Sequence, residues 1–589
     1  MCGLSGWKIS PSLIESFKPQ AAKFTLSQNH RGPDSTGSYH SDNGQVYLGH
    51  NRLSIIDLSD AGNQPMYSAN GDVMILNGEI YNYRQLKHEL EAKGHQFKSQ
   101  SDTEVVLKSF LEWGMDFTDK IQGMYAIVIW RESDQSMHLL RDPLGIKPLY
   151  YWTLDRNEGI VFASELRSFL ALDEFETQIS SAGLNQYIEF GYSIDSTATI
   201  FDGVKKLQPG HRLEIRGSSI SRQIPFYLPD LTNYTDTSPT EIEDQLYEAL
   251  NQVIKEHLVA DVPVGLLLSG GLDSSLIAAI ASKHEKIHTY SMGFANSQVD
   301  ERPFARTVSE FIGSHHHEVL LQPNQIMQDI ESVSSHFDDL FADWGLVSTR
   351  LLYKTCRDQG IKVVLVGEGS DELFGGYGIF RDGLDSRSPM EWRLFQLYRK
   401  YIGQRYGAEY FRFRTIMLDY LKSTGGDLFK ALQLFESRNQ LPNNYVMKVD
   451  KASMSVSVEA RTPFLDSRIA NIAYRIPKEL LIDSSSEKKI LKSIATRYKL
   501  LPDEIINRKK YGAGIAANWI DEPSEFRNFA RDTILANNSW VDQLGLRDAM
   551  QRYFDDGQAG YAFPRRLGIF RNIAWRILIL NLWGNSLEL

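Results

Sequence analysis

Cysteine is almost missing from this chain: Cys2 and Cys356 are the only two among 589 residues. That rules out a disulfide framework and points to a reducing, cytoplasmic setting. A basic excess is also lacking, with 63 Lys and Arg against 74 Asp and Glu and a net charge of −11. Broad nucleic-acid binding wants a basic face, so no nucleic-acid partner is expected. No basic-then-apolar leader opens the sequence. The most apolar tail, AWRILILNLW, is short and contains Arg576. It is expected to be a buried helix, which leaves no membrane partner. Repeats of solenoid length and low-complexity tracts are absent too.

What is present divides the chain. Its length exceeds one hydrophobic core and suggests roughly two to four domains. Residues 216–239 are rich in Ser, Thr, Pro and Asp without an apolar period, and are expected to link a first domain at 2–215 to a second at 240–589. Before that segment, short β-like runs are interrupted by helical patterns near 83–93 and 102–113, which suggests sheets with helices on their faces. After it, apolar strands alternate with helices, the pattern of a parallel sheet covered on both faces. One such helix, about 346–359, is expected to end at Gly360. From about residue 390 the pattern is mostly helical. The run His315–His317 is expected to enter a strand rather than hold a metal, and Cys356 to sit in a core.

The second domain opens with LLLSGGLDSS. An apolar strand stops at Ser269-Gly270-Gly271, and a helix begins at once. Glycines let the backbone approach an anion, and a helix start favours negative charge. The loop lacks the Lys of a Walker-type P-loop. Asp273 inside an anion site makes sense with a divalent cation between, and Mg²⁺ suits carboxylates plus phosphates. A second acidic turn, VLVGEGSDELFGGY, follows another apolar strand and carries Glu368, Asp371 and Glu372. Its place favours a second metal-ligand loop.

SGGLDSS resembles the pyrophosphate loop of the N-type ATP pyrophosphatases, and GEGSDELFGGY, KASMSVSVEARTPFLD and RKKYG resemble segments of the glutamine-hydrolysing asparagine synthetase family. The resemblance implies cleavage of ATP between its α and β phosphates, with an acyl-adenylate intermediate, so a γ-phosphate Lys is not needed. It implies Ser269, Gly270, Gly271, Leu272, Asp273, Ser274 and Ser275 around pyrophosphate. Leu267, Met292, Val366 and Gly367 fall near adenosine, with Glu368 beside them. Asp273 and Asp371 are implied as Mg²⁺ ligands and Lys510 as the catalytic Lys. Many members read R-x-K-x-G-F and then Pro, whereas this chain has Ala513 and Ala516. That departure leaves two acceptors open: aspartate, or another carboxylate such as a sugar acid, a peptide or a natural-product precursor.

Cys2 directly follows Met1. Once Met1 is removed, its thiol lies beside a free α-amine that can take the thiol proton. MCGLSGW, HRGPDSTG, NRLSIIDLSDAGNQPM, LNGEIYNY and SDTE, in that order, resemble a class II glutamine amidotransferase domain. The resemblance implies an Ntn-hydrolase-type αββα sandwich, followed by a doubly wound parallel α/β domain with a mostly helical end. It assigns Arg52 to the α-carboxylate of glutamine as a bidentate grip and Asp102 to its α-ammonium. Asn77 and Gly78 would form an oxyanion hole, and Leu53, Ile55, Ile56 and Glu79 would complete the pocket. Glutamine, ATP and the acceptor are the expected small-molecule partners. An internal ammonia tunnel and a homodimer are implied by the family.

Overall fold

The computed structural model describes residues 2–234, 237–295, 300–334, 336–382, 388–402, 409–508, 518–521, 523–556 and 564–587. The first half holds β1 (Gly3–Ile9), β2 (Ser35–His40), β3 (Val46–Arg52), β4 (Met66–Tyr67), β5 (Val73–Ile80), β6 (Gly123–Arg131), β7 (Ser136–Arg141), β8 (Tyr150–Thr153), β9 (Gly159–Ala163), β10 (Val204–Lys206), β11 (His211–Arg216) and β12 (Ser219–Pro225). They form two antiparallel six-stranded sheets, ordered β10-β8-β9-β1-β3-β2 and β12-β11-β7-β6-β5-β4. Leu4, Leu48 and Phe162 of the first sheet meet Ile75, Val128 and Leu139 of the second in one dry cluster, so the sheets pack face to face. On the outer side of the second sheet, Leu86, Leu90, Val105 and Val106 of two helices, Tyr83–Ala92 and Asp102–Trp113, cover Leu76 and Ile127. On the outer side of the first, Trp7 packs against Phe17, Phe24 and Tyr47. The result is the αββα sandwich expected from the motifs.

The segment expected to be a linker begins differently. Ser219–Pro225 is strand β12, paired with β11 at the sheet edge. Only Ile220 and Ile224 carry larger apolar side chains and most of the strand faces solvent, so an edge strand here leaves little alternating apolar trace. The connection starts only after Pro225, and Ser238 then caps the helix Pro239–His257 through a reciprocal capping box with Glu241.

The second half contains one parallel sheet of β13 (Val264–Leu267), β14 (His288–Phe294), β15 (His315–Leu321), β16 (Val363–Leu365) and β17 (Glu459–Arg461), ordered β15-β14-β13-β16-β17. The chain winds outward from β13 in one direction through β14 and β15, and in the other through β16 and β17. The switch between directions falls between β13 and β16, where open α/β sheets bind ligands beyond the strand ends. The helix Leu346–Asp358 stops before Gly360, whose φ of 83° closes it as expected. Cys356 lies in the core of that helix with no exposure. The tail belongs to the helix Pro564–Ser586, where Arg576 Nη1 donates to the Ile188 and Glu189 carbonyls at 2.7 Å each. The tail therefore docks on the first half. Among the described residues no helix is long and apolar enough to cross a membrane.

The two halves meet through buried charge. Arg31 grips Asp450 with both Nη atoms, at 2.8 and 3.0 Å, and reaches Glu165 at 2.9 Å. Lys451 reaches across to Glu165 at 3.7 Å and pairs with Asp338 of its own half at 2.6 Å. Arg31, Glu165, Asp450 and Lys451 are all buried. Removing one partner of such a group strands the other without water. Asp450→Ala is expected to cost about 3–5 kcal/mol, read as a lower urea midpoint for unfolding.

Candidate active sites

The chain start and β5 build the first site. Cys2 immediately precedes β1 and is buried, and its backbone N–H donates to Asn77 Oδ1 at 3.0 Å. Arg31 Nε donates to the Cys2 carbonyl at 3.1 Å, so Cys2 is held through both its backbone N–H and its carbonyl. Cys2, Arg52, Leu53, Ile55, Ile56, Gly78, Glu79 and Asp102 line one pocket. Every residue assigned to glutamine is thus in its wall, apart from Asn77, which meets Cys2 from behind. Gly78 has φ of 153°, and a Cβ there would lie 2.0 Å from the Met124 carbonyl oxygen. Any side chain would force β5 and β6 apart.

Electrostatics in this pocket follow from burial. Desolvation raises the Cys2 thiol, against the chain-terminal ammonium, the Leu53 N–H and the Arg52 guanidinium, which draw it down. Burial also raises Asp102, against hydrogen bonds from the Ile80 and Thr103 N–H groups. Glu79 is held well above the carboxylate range by burial and then by Asp102, with Arg461 opposing. Two such carboxylates in one pocket favour an incoming cation, as the α-ammonium of an amino acid would be.

Arg52 departs from the expected grip. Its Nη1 donates to the Ser59 carbonyl and Asn63 Oδ1, both at 2.9 Å. Its Nη2 donates to the Ile56 carbonyl at 3.2 Å and to that of Asp57. Both fork nitrogens are therefore committed to the loop that follows β3. In this geometry Arg52 folds the loop and supplies positive charge, rather than presenting a free bidentate fork.

The sequence reading missed a contribution from the other half. Glu459, on β17, lines the same pocket. Arg461 bonds Glu459 at 2.6 Å and Glu79 at 3.1 Å, and donates to the His257 and Val259 carbonyls at 2.7 Å each. Burial opposes the ionised form of Glu459, yet the chain-terminal ammonium, then Arg461 and Lys147, hold it down to about 2. The segment VEARTPFLD was visible as a motif, but nothing in its spacing says that it crosses to the amino-terminal site.

The second site lies beyond β13 and β16. Gly270 has φ of 68°, and a Cβ there would meet the Ala305 nitrogen at 2.5 Å, so the loop Ser269–Gly271 turns tightly against the helix Arg302–Ile312. Ser269 Oγ lies 3.0 Å from Ser274 Oγ and accepts the Gly271 N–H at 3.2 Å. Asp273 stands in the first turn of the helix Leu272–Ala281, with Ser274 and Ser275 beside it. Leu267 ends β13, and Met292 lies on the neighbouring β14. Val366 follows β16 and donates its N–H to the Arg461 carbonyl at 2.9 Å. A Cβ on Gly367 would come within 3.1 Å of the Ser274 nitrogen, so the two loops touch. Glu368 follows in the same turn, and Ser370 Oγ donates to Asp273 Oδ1 at 2.8 Å.

Lys488 is a further functional candidate that the sequence did not single out. Its Nζ lies 2.6 Å from Asp273 Oδ2 and 2.8 Å from Asp371 Oδ1. Two carboxylates from different strand-end loops thus converge on a single cation. That is the arrangement a divalent ion held by carboxylates requires, and the ammonium stands where its charge would be. In sequence, Lys488-Lys489 looks like a solvated pair, whereas Lys488 is buried. Lys510, expected as the catalytic Lys, lies outside the described residues, as do Ala513 and Ala516.

Comparison with known proteins finds relatives of both halves. An asparagine synthase family model matches residues 245–584, and a glutamine amidotransferase domain model matches residues 1–227. Asparagine synthetase [glutamine-hydrolyzing] 1 of Bacillus subtilis is 30% identical, over 99% of this chain and 96% of that protein. An asparagine synthetase [glutamine-hydrolyzing] of Zea mays is 29% identical, over 87% of this chain and 77% of its own. Amidase chry2 of Gibberella zeae is 35% identical, over 67% of this chain and 62% of its own.

Proposed function

The chain belongs to the asparagine synthase family, and from that premise we propose that it converts aspartate, glutamine and Mg·ATP to asparagine, glutamate, AMP and pyrophosphate in the cytoplasm. The observation that carries this reading is that one parallel sheet has a site at each end. Glu459 of β17 enters the thiol pocket, while the loops after β13 and β16 bring Asp273 and Asp371 together.

In the first pocket, Cys2 attacks the side-chain carbonyl carbon of glutamine. Its thiol proton passes to the α-amine freed by removal of Met1, and that amine returns a proton to the departing ammonia. Asn77 Oδ1 holds the amine, and the Asn77 amide and the Gly78 N–H serve as the oxyanion hole. Asp102 and Glu79 receive the substrate ammonium. Water then hydrolyses the thioester to glutamate.

In the second site, an oxygen of the acceptor β-carboxylate attacks the α-phosphorus of ATP, and the bond to pyrophosphate breaks. Ser269, Gly271, Ser274 and Ser275 cradle the leaving pyrophosphate at the helix start. Asp273 and Asp371 would hold Mg²⁺, which neutralises phosphate charge when bound. Lys488 and Lys510 add fixed positive charge. Ammonia from the first pocket attacks the acyl carbon, and AMP leaves.

The deciding experiment offers a panel of carboxylates with glutamine and Mg·ATP, scoring amide product and AMP. Aspartate is expected to exceed the other acids by at least about 100-fold in kcat/KM, the discrimination available to a site that pairs an ammonium and a carboxylate. AMP formation with another acid, and no asparagine with aspartate, would reassign the acceptor.

A further inference from the structure

Asp261 belongs to the synthetase half, between the helix Pro239–His257 and β13. Its partners nevertheless lie in the wall of the thiol pocket. Its backbone N–H donates to the Ile55 carbonyl at 2.9 Å, and its Oδ2 accepts the Asp57 N–H at 2.8 Å. Two hydrogen bonds of opposite sense therefore pin residues 55–57 to one side chain and its own backbone.

The pinned stretch holds a backbone conformation that needs support. Asp57 has φ of 56°, a left-handed conformation seldom taken by residues other than glycine. Its carboxylate accepts the Ser59 N–H at 3.1 Å and the Gln100 N–H at 2.7 Å. Ser101 and Asp102, which line the pocket, follow Gln100 directly. The carbonyls of Ile56 and Asp57 receive the Arg52 Nη2 donors, and Arg52, Ile55 and Ile56 are themselves wall residues. A neighbouring contact runs the same way. Lys362, just ahead of β16, bonds Asp34 Oδ2 at 3.0 Å, and that oxygen accepts the Ser54 N–H at 2.8 Å.

We propose that Asp261 is a positioning residue for the amide-donor site, holding the Arg52–Asp57 loop in its glutamine-binding shape from the synthetase half. The inference rests on the reading of this pocket as the glutamine site. Asp261 touches neither substrate nor the reacting atoms. It acts on how well the pocket is formed before glutamine arrives, which is a binding effect rather than an effect on chemistry.

The test uses full-length enzyme with Asp261→Ala and Asp261→Asn, assayed with glutamine and separately with an ammonium salt as nitrogen source. Losing one net hydrogen bond and the loop order it supports is expected to raise the glutamine KM of Asp261→Ala about five- to tenfold. Its kcat with glutamine and its ammonia-driven rate are expected to stay within about twofold of the parent. Asp261→Asn keeps an acceptor oxygen and is expected to restore the parent KM. An unchanged KM in Asp261→Ala overturns the proposal. So does a parallel fall in the ammonia-driven rate, which would make Asp261 a support of its own half. If the parent enzyme itself shows no saturable use of glutamine, the reading of the pocket fails first, and this inference falls with it.

Discussion

Cys2→Ala is expected to abolish glutamine-dependent product formation, with a loss of at least about 10⁴-fold, while ammonia-driven formation stays near the parent rate. In the proposed reaction the thiol is the nucleophile that splits amide hydrolysis into two easier steps, and no other cysteine is near: Cys356 lies in a buried helix of the other half. The side chain is small and already buried, so alanine leaves little void. The Cys2 backbone N–H can keep its bond to Asn77, and Arg31 can keep its bond to the Cys2 carbonyl. A fall in both activities would mean that the substitution disturbs the Arg31–Asp450 interface, and unchanged glutamine use would remove Cys2 from the chemistry. The measurement is asparagine formed per minute with each nitrogen source, at saturating aspartate and ATP.

Asp371→Asn is expected to behave in the opposite sense, lowering both activities together by about 10²–10³-fold. The carboxylate shares one cation with Asp273, and phosphate charge at that point is what a divalent ion would neutralise. An amide of the same size keeps the shape and removes the charge. Glutamine hydrolysis without ATP should be untouched, because Asp371 lies at the far end of the sheet from Cys2. Pyrophosphate release against magnesium concentration checks the assignment: the variant should need much more magnesium for half its maximal rate. A variant with parental magnesium dependence would sink the role given to Asp371.

Much of this architecture is legible in the residues because local and tertiary preferences agree. An apolar strand broken by Ser-Gly-Gly and followed by a helix can hardly be anything else, and β13 with the helix Leu272–Ala281 fulfils it. The amino-terminal motifs place Arg52, Gly78 and Asp102 in one pocket, since each is a short segment whose residues act together. Three things were illegible for physical reasons. Strand β12 is a solvated sheet edge and shows little alternation. Glu459 and Arg461 occupy a three-residue strand, too short for any period, and reach a pocket hundreds of residues upstream. Lys488 is buried only because two carboxylates distant in sequence surround it, and a pair of adjacent lysines gives no hint of that.

Strands β13, β16 and β17 all point the same way, and three or four residues span only about 10–13 Å. Their beginnings lie against the Cys2 pocket, and their ends open into the turns proposed to meet the nucleotide. Such turns can change length and composition without disturbing the pairing beneath them. A lineage could therefore exchange the acid it amidates by rewriting the far rim alone, while the nitrogen supply stays as it is.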